Sequence, residues 1–158
     1  ALNHDDGQGF DHLSEAEIIL VGVSRTSKTP TSMYLANHRG LMAANVPVVP
    51  GVPLPDMLFS KQAPLVVGLT TLPERLVQIR RERMKSLGED RKTNYVELDQ
   101  VRQEIQQARK LFAKYRWPVI DVTRRSIEET ASEIFALYAA NLEKKSASEP
   151  TTKNFPTE

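Results

Sequence analysis

Glu17 to Gly40 reads EIILVGVSRTSKTPTSMYLANHRG, a stretch that leaves the backbone few choices. Ile18 to Val21 is continuously apolar, as a strand buried on both faces is. The run stops at Gly22. Pro30 near a first helical position and Gly40 just past a last one predict a helix over Thr29 to His38. A buried strand that ends on glycine and re-enters a helix a few residues later leaves a loop whose N–H groups can turn inward around an anion. Gly22 to Thr29 fits the phosphate-loop spacing G-x-x-x-x-G-K-[ST] at every defined position except the second glycine, which here is Ser27.

In the functional reading, amides from Ser24 to Thr29 hold two phosphates, Lys28 supplies a point charge and the Thr29 hydroxyl reaches a magnesium ion. The plainer reading is a polar strand-to-helix turn with a surface lysine. Serine lacks the freedom of glycine at positive φ, so ordinary backbone angles are expected at Ser27. No predicted strand ends in the acidic residue that usually helps position magnesium. The ion is therefore expected to lean on water, phosphates and Thr29.

Downstream, strand and helix signals alternate. Ala43 to Val49, Leu65 to Leu69 and Pro118 to Thr123 share the strand character of the first run. Pro73 and Gly88 bracket a helix over Glu74 to Leu87. Between Tyr95 and Tyr115, Leu98, Val101, Ile105, Ala108, Leu111 and Phe112 recur at three- and four-residue spacings, which sets one apolar stripe against a sheet. Ser126 and Glu129 form a capping box that opens a last helix, with Ile127, Ala131, Ile134, Phe135 and Tyr138 facing inward. Strands separated by helices predict an α/β fold, a P-loop kinase-like three-layer α/β/α arrangement around a mainly parallel sheet.

A chain of 158 residues suits one compact domain. That domain is expected over residues 17–144. Residues 1–16 read as a linker from a domain outside this sequence, and residues 145–158 as a polar, proline-containing disordered tail. With 21 basic against 20 acidic residues, no global field argues for a nucleic acid or an anionic membrane as obligatory partner, so any anion site is local. The absence of cysteine excludes disulfides, thiolate catalysis and zinc–thiolate sites. No apolar run approaches a membrane span, and a soluble intracellular protein is expected.

Further candidates follow from the same frame. Arg75, Arg80, Arg81 and Arg83 crowd one predicted helix, where Arg80 and Arg83 can share a face and clamp phosphate oxygens; the alternative is a solvated face paired with Glu74 and Glu82. Thr123 and Arg124 follow the last strand, at the edge where α/β ligands bind, and could border an adenine. Asp121 is expected to partner a neighbouring loop. His4, Asp5 and Asp6 form the most compact histidine–carboxylate cluster and could orient an acceptor hydroxyl or a metal, or else belong to a hydrophilic linker. His12 reads as a surface residue, and His38 suits the end of a helix dipole.

Five segments in order, ILVGVSRTSKTPTSMYLA, AANVPVVPGVPLP, GLTTLPERLVQIRRERM, NYVELDQVRQEIQQARKLF and WPVIDVTRRSIEETASEI, resemble the pyruvate, phosphate dikinase regulatory protein family, which includes the phosphoenolpyruvate synthase regulatory proteins. The similarity runs from His4 to Leu142. It implies a bifunctional enzyme that uses ADP to phosphorylate a threonine of the dikinase, inactivating it, and removes the phosphate by phosphorolysis with inorganic phosphate, releasing pyrophosphate. The family's ADP-binding loop falls on Gly22, Val23, Ser24, Arg25, Thr26, Ser27, Lys28 and Thr29, and serine as well as glycine is accepted at Ser27. Family members are longer at the N-terminus, so the resemblance implies a C-terminal nucleotide-binding portion with Asp5 and Asp6 at the join. It implies a homodimer for the full-length protein, in bacterial cytoplasm or, alternatively, chloroplast stroma. The target stays open between the dikinase and the synthase, although VPVVPGVPLP resembles the dikinase regulators more. Two other classes remain beside this one: an ADP-sensing interaction module without chemistry, and a small-molecule kinase of the nucleoside or dephospho-coenzyme A kind.

Overall fold

The computed structural model describes residues 15–60, 63–86 and 97–148. Four parallel strands, β1 (Ile18–Gly22), β2 (Ala43–Pro47), β3 (Leu65–Thr70) and β4 (Val119–Asp121), form a sheet of order β2-β1-β3-β4. Helices α1 (Lys28–Arg39), α2 (Pro73–Ser86), α3 (Leu98–Lys114) and α4 (Ile127–Ser148) cover it, and a 3-10 turn spans Asp56–Phe59.

Side chains of a strand alternate between faces, and the core divides accordingly. Ile19 and Val21 of β1 pack with Val66, Leu76, Val101, Ile105 and Phe112 on the side of α2 and α3. Ile18 and Leu20 pack with Leu35, Val67, Leu69, Ile120, Ala131 and Ile134 on the side of α1 and α4. Every residue of β1 is buried, as its unbroken apolar run predicts. The expected three-layer α/β/α architecture is therefore present, with a sheet whose four described strands are all parallel.

The element ends differ from the sequence expectations for local reasons. β2 stops at Pro47, which brings no N–H to a ladder, although Val48 still donates to the Gly22 carbonyl at 2.9 Å. β4 stops at Asp121 because its Oδ1 accepts the Thr123 amide at 2.9 Å, which closes a turn in place of further pairing. Gly40 ends α1 in the left-handed conformation, φ 64°, and the Leu41 amide returns to the Leu35 carbonyl at 3.2 Å. The capping box forms as expected: the Ser126 amide donates to Glu129 Oε1 at 2.9 Å, and the Glu129 amide donates to Ser126 Oγ at 3.1 Å. α4 continues through Ser148, past the position where the tail was expected to begin. His4, Asp5, Asp6, His12, Gly88 and Tyr95 lie outside the described residues.

Candidate functional site

β1 lies between β2 and β3, so its carboxyl end opens where the chain leaves to one side and returns on the other, the place where open α/β sheets bind ligands. The loop there is tightly built. A Cβ on Gly22 would stand 2.7 Å from Thr26 Oγ1 and 2.8 Å from the Leu69 carbonyl oxygen, so this position admits no side chain without a backbone shift. The buried Thr26 hydroxyl donates to the Val23 carbonyl at 2.8 Å, and Lys28 Nζ donates to the same oxygen at 2.8 Å. The ammonium is thus drawn back into its own loop rather than spread into solvent, with Lys28 6% exposed.

Ser27 corrects the sequence expectation. It adopts φ 68° and ψ 23°, the left-handed region, and Arg25 does so as well at φ 70°. Thr26 between them keeps a negative φ. A change in the sign of φ between neighbouring residues is the kind of backbone that can turn successive N–H groups toward one side, as anion-binding turns do. A serine in this conformation costs about 1–2 kcal/mol relative to right-handed backbone. The strain is accepted here because the buried Gly22 and Thr26, together with the first turn of α1, over-determine the chain path, with the Thr31 amide bonded to the Ser27 carbonyl at 3.1 Å.

Thr29 sits on the first turn of α1, where Asn45 Nδ2 donates to its Oγ1 at 3.4 Å and to Ser32 Oγ at 3.3 Å. Asn45 is fully buried in β2, and its Oδ1 has no hydrogen-bond partner among the described residues. A polar side chain inside an apolar strand was the available signal for this residue, which sequence reasoning passed over.

The arginine helix departs from expectation more sharply. Arg80 is 1% exposed, and its guanidinium grips both oxygens of Glu104 on α3, at 3.2 and 3.1 Å. Its Nη2 also donates to the Ser24 carbonyl at 3.2 Å. Arg80 therefore braces the loop from behind instead of presenting an exposed phosphate clamp. Arg83 is exposed three residues further along α2, a helix that runs away from this edge, and the two do not form the expected two-armed grip. Arg75 bonds Gln78, and Glu74 pairs with Arg102 of α3 rather than with a neighbour on α2. Glu104 went unnoticed in the sequence, although it lies three residues after Val101 and four before Ala108, beside the buried stripe.

At the β3–β4 end of the same edge, Thr123 and Arg124 line a cleft of about 640 Å³ with Leu72, Asp121, Arg125 and Glu129. The Thr123 hydroxyl is engaged with Thr71 Oγ1 at 3.1 Å and with the Leu72 amide at 3.0 Å, so it ties the β3–α2 turn to the β4–α4 turn. Asp121 serves that same turn, as expected of a structural partner. Hydrogen bonds from Ser126 hold the Glu129 carboxyl below its usual range. A cavity of about 680 Å³ lies at the opposite edge, lined by Leu65, Trp117 and Pro118 among others. It borders the C-terminal end of α3, where the helix dipole repels anions, so its size does not make it the phosphate site.

Among the described residues no three His, Asp or Glu side chains come together to hold a metal ion. No helix among them is long and apolar enough to cross a membrane.

The kinase/pyrophosphorylase family matches residues 1–135. Relatives from Maricaulis maris, Caulobacter vibrioides and Novosphingobium aromaticivorans, each named as a pyruvate, phosphate dikinase regulatory protein, are 63%, 61% and 58% identical over 137 residues. Each alignment covers 87% of this chain and, in that order, 48%, 43% and 49% of the relative. The chain thus spans about half the length of the curated relatives it matches.

Proposed function

The chain belongs to the kinase/pyrophosphorylase family, and from that premise we propose that it forms the nucleotide-binding part of a bifunctional regulator of pyruvate, phosphate dikinase. In this reading the whole protein phosphorylates a dikinase threonine from ADP and removes the phosphate with inorganic phosphate. The names of the Maricaulis and Caulobacter relatives support the target, and their bacterial origin supports a bacterial cytoplasm as the setting. The observation that carries the chemistry is the Gly22–Thr29 connection, with left-handed backbone at Arg25 and Ser27 and the Lys28 ammonium at its centre.

In the forward direction the threonine hydroxyl oxygen attacks the β-phosphorus of ADP and gives up its proton to solvent, the bond from that phosphorus to the bridging oxygen breaks, and AMP leaves. In the reverse direction an oxygen of inorganic phosphate attacks the threonyl phosphorus; the threonine oxygen departs with a proton, and pyrophosphate is released. Both steps gather negative charge where Lys28 can reach by leaving the Val23 carbonyl, so one electrostatic clamp serves both. Thr29 fits a magnesium ion, because its hydroxyl takes one bond from Asn45 and keeps a second lone pair. Magnesium would neutralise phosphoryl oxygens, its other ligands being phosphate and water.

The test incubates the longer, relative-length protein with purified dikinase and labelled ADP or ATP. Threonine phosphate from ADP is the expected result. Transfer from ATP to a metabolite alone, or nucleotide binding without transfer, would replace this reading with a small-molecule kinase or a sensor. Lys28→Ala is expected to abolish both directions while the circular dichroism spectrum stays unchanged; loss of one direction with full retention of the other would rule out a shared clamp.

A further inference from the structure

We infer that Glu104, acting through Arg80, is a positioning residue that sets the aim of the phosphate loop. The inference rests on the nucleotide-binding reading above. A trans peptide holds its C=O and N–H in opposite directions, so whatever pins a carbonyl also aims the next amide. Two consecutive carbonyls of the loop are pinned. Val23 accepts Thr26 Oγ1 and Lys28 Nζ, both at 2.8 Å, and Ser24 accepts Arg80 Nη2 at 3.2 Å. The second tie turns the Arg25 amide away from α2, at a residue whose φ of 70° belongs to the alternating segment.

Arg80 can hold that aim because Glu104 fixes its guanidinium. The carboxylate meets both terminal nitrogens in a planar fork, at 3.2 and 3.1 Å, with Arg80 1% and Glu104 15% exposed. The fork spans α2 and α3, so the loop after β1 is registered against the layer that packs on the opposite side of the sheet from its own helix. A cation this deeply paired is unavailable to bind a phosphate directly. It contributes by orienting a neutral amide instead.

Removing one partner leaves a buried charge alone and threatens the fold, whereas replacing both by apolar side chains of similar length is tolerated. The deciding variant is therefore Arg80→Met with Glu104→Met, made in the 158-residue chain. ADP affinity is measured by titration calorimetry, with the thermal midpoint and the exchange rate of the Arg25 amide measured alongside. Wild type is expected to bind ADP and Lys28→Ala to lose it. The double variant is expected to keep the wild-type midpoint, bind ADP about tenfold more weakly and exchange its Arg25 amide faster, since a lost charge-assisted contact corresponds to about that factor. If the double variant fails to fold, Arg80→Lys, which keeps the charge beside Glu104 but cannot fork to Ser24 as well, is expected to show the same weakening. Wild-type affinity and exchange in a folded double variant, or in Arg80→Lys where that substitutes, would overturn this inference and leave the nucleotide reading standing. Failure of the wild type to bind ADP would overturn both.

Discussion

Ser27 holds a left-handed conformation without being glycine, and it does so at the junction where the loop becomes a helix. Glycine would relieve about 1–2 kcal/mol of steric cost but would add conformational freedom to the unfolded chain. Ser27→Gly is therefore expected to stabilise the protein by up to about 1 kcal/mol, a rise of about 2–4 °C in the thermal midpoint for a chain of this size. A lower midpoint would mean that the serine side chain makes a stabilising contact of its own. Gly22 shows the opposite constraint. Because a Cβ there meets the Leu69 backbone at 2.8 Å, Gly22→Ala is expected to cost about 1–3 kcal/mol in urea unfolding and to weaken ADP binding together with stability. Gly22 could be read from the sequence pattern, whereas the Ser27 angle could not. A pattern records which residue types are tolerated, and the backbone angle at a tolerated serine depends on what packs around it.

Among the elements, α4 is the most exposed to pH at its start. Ser126→Ala is expected to cost about 1 kcal/mol through loss of the cap. Glu129 lies below its ordinary value of 4.5 because the Ser126 amide and hydroxyl favour the ionised carboxylate. A depressed carboxylate contributes its stability above the unfolded-state value and loses it as pH falls through the folded one. Glu129→Gln is accordingly expected to be less stable than wild type at neutral pH, with the gap closing below about pH 4.5. A gap that persisted at lower pH would show that ionisation is not its source. Two ion pairs that join α2 to α3 among the described residues differ by environment. Arg102 and Glu74 are 52% and 61% exposed, so Arg102→Ala is expected to shift stability by less than about 1 kcal/mol, in contrast to any single change at buried Arg80. Of the predicted α3 stripe Leu98, Val101, Ile105, Ala108, Leu111 and Phe112, the structure buries Val101, Ile105, Ala108 and Phe112 and leaves Leu98 and Leu111 half-buried. The stripe did not reveal that Glu104 beside them closes on Arg80, because apolar periodicity is silent about a charge whose partner lies on another helix.

Across the whole molecule, the sheet is closed from both sides, and Phe112 shows how tightly. A Cβ on Gly68 would lie 2.6 Å from its ring, so the aromatic face rests directly on the β3 backbone. Phe112→Ala is expected to cost about 3–5 kcal/mol, and a much smaller loss in chemical denaturation would mean that α3 can settle into the gap. The sequence alone determined the three-layer parallel α/β class, the order of the elements and the site of the loop. Those follow from residue-by-residue periodicity, glycine, proline and capping signals that act over a few positions. Tertiary structure decided the handedness at Arg25 and Ser27, the withdrawal of Lys28 onto Val23, and the conversion of Arg80 from an expected ligand into a brace. Arg80 finds Ser24 56 positions away, and Lys28 turns back onto a carbonyl five positions before it in a loop whose path the surrounding packing sets; a pattern of residue types encodes neither.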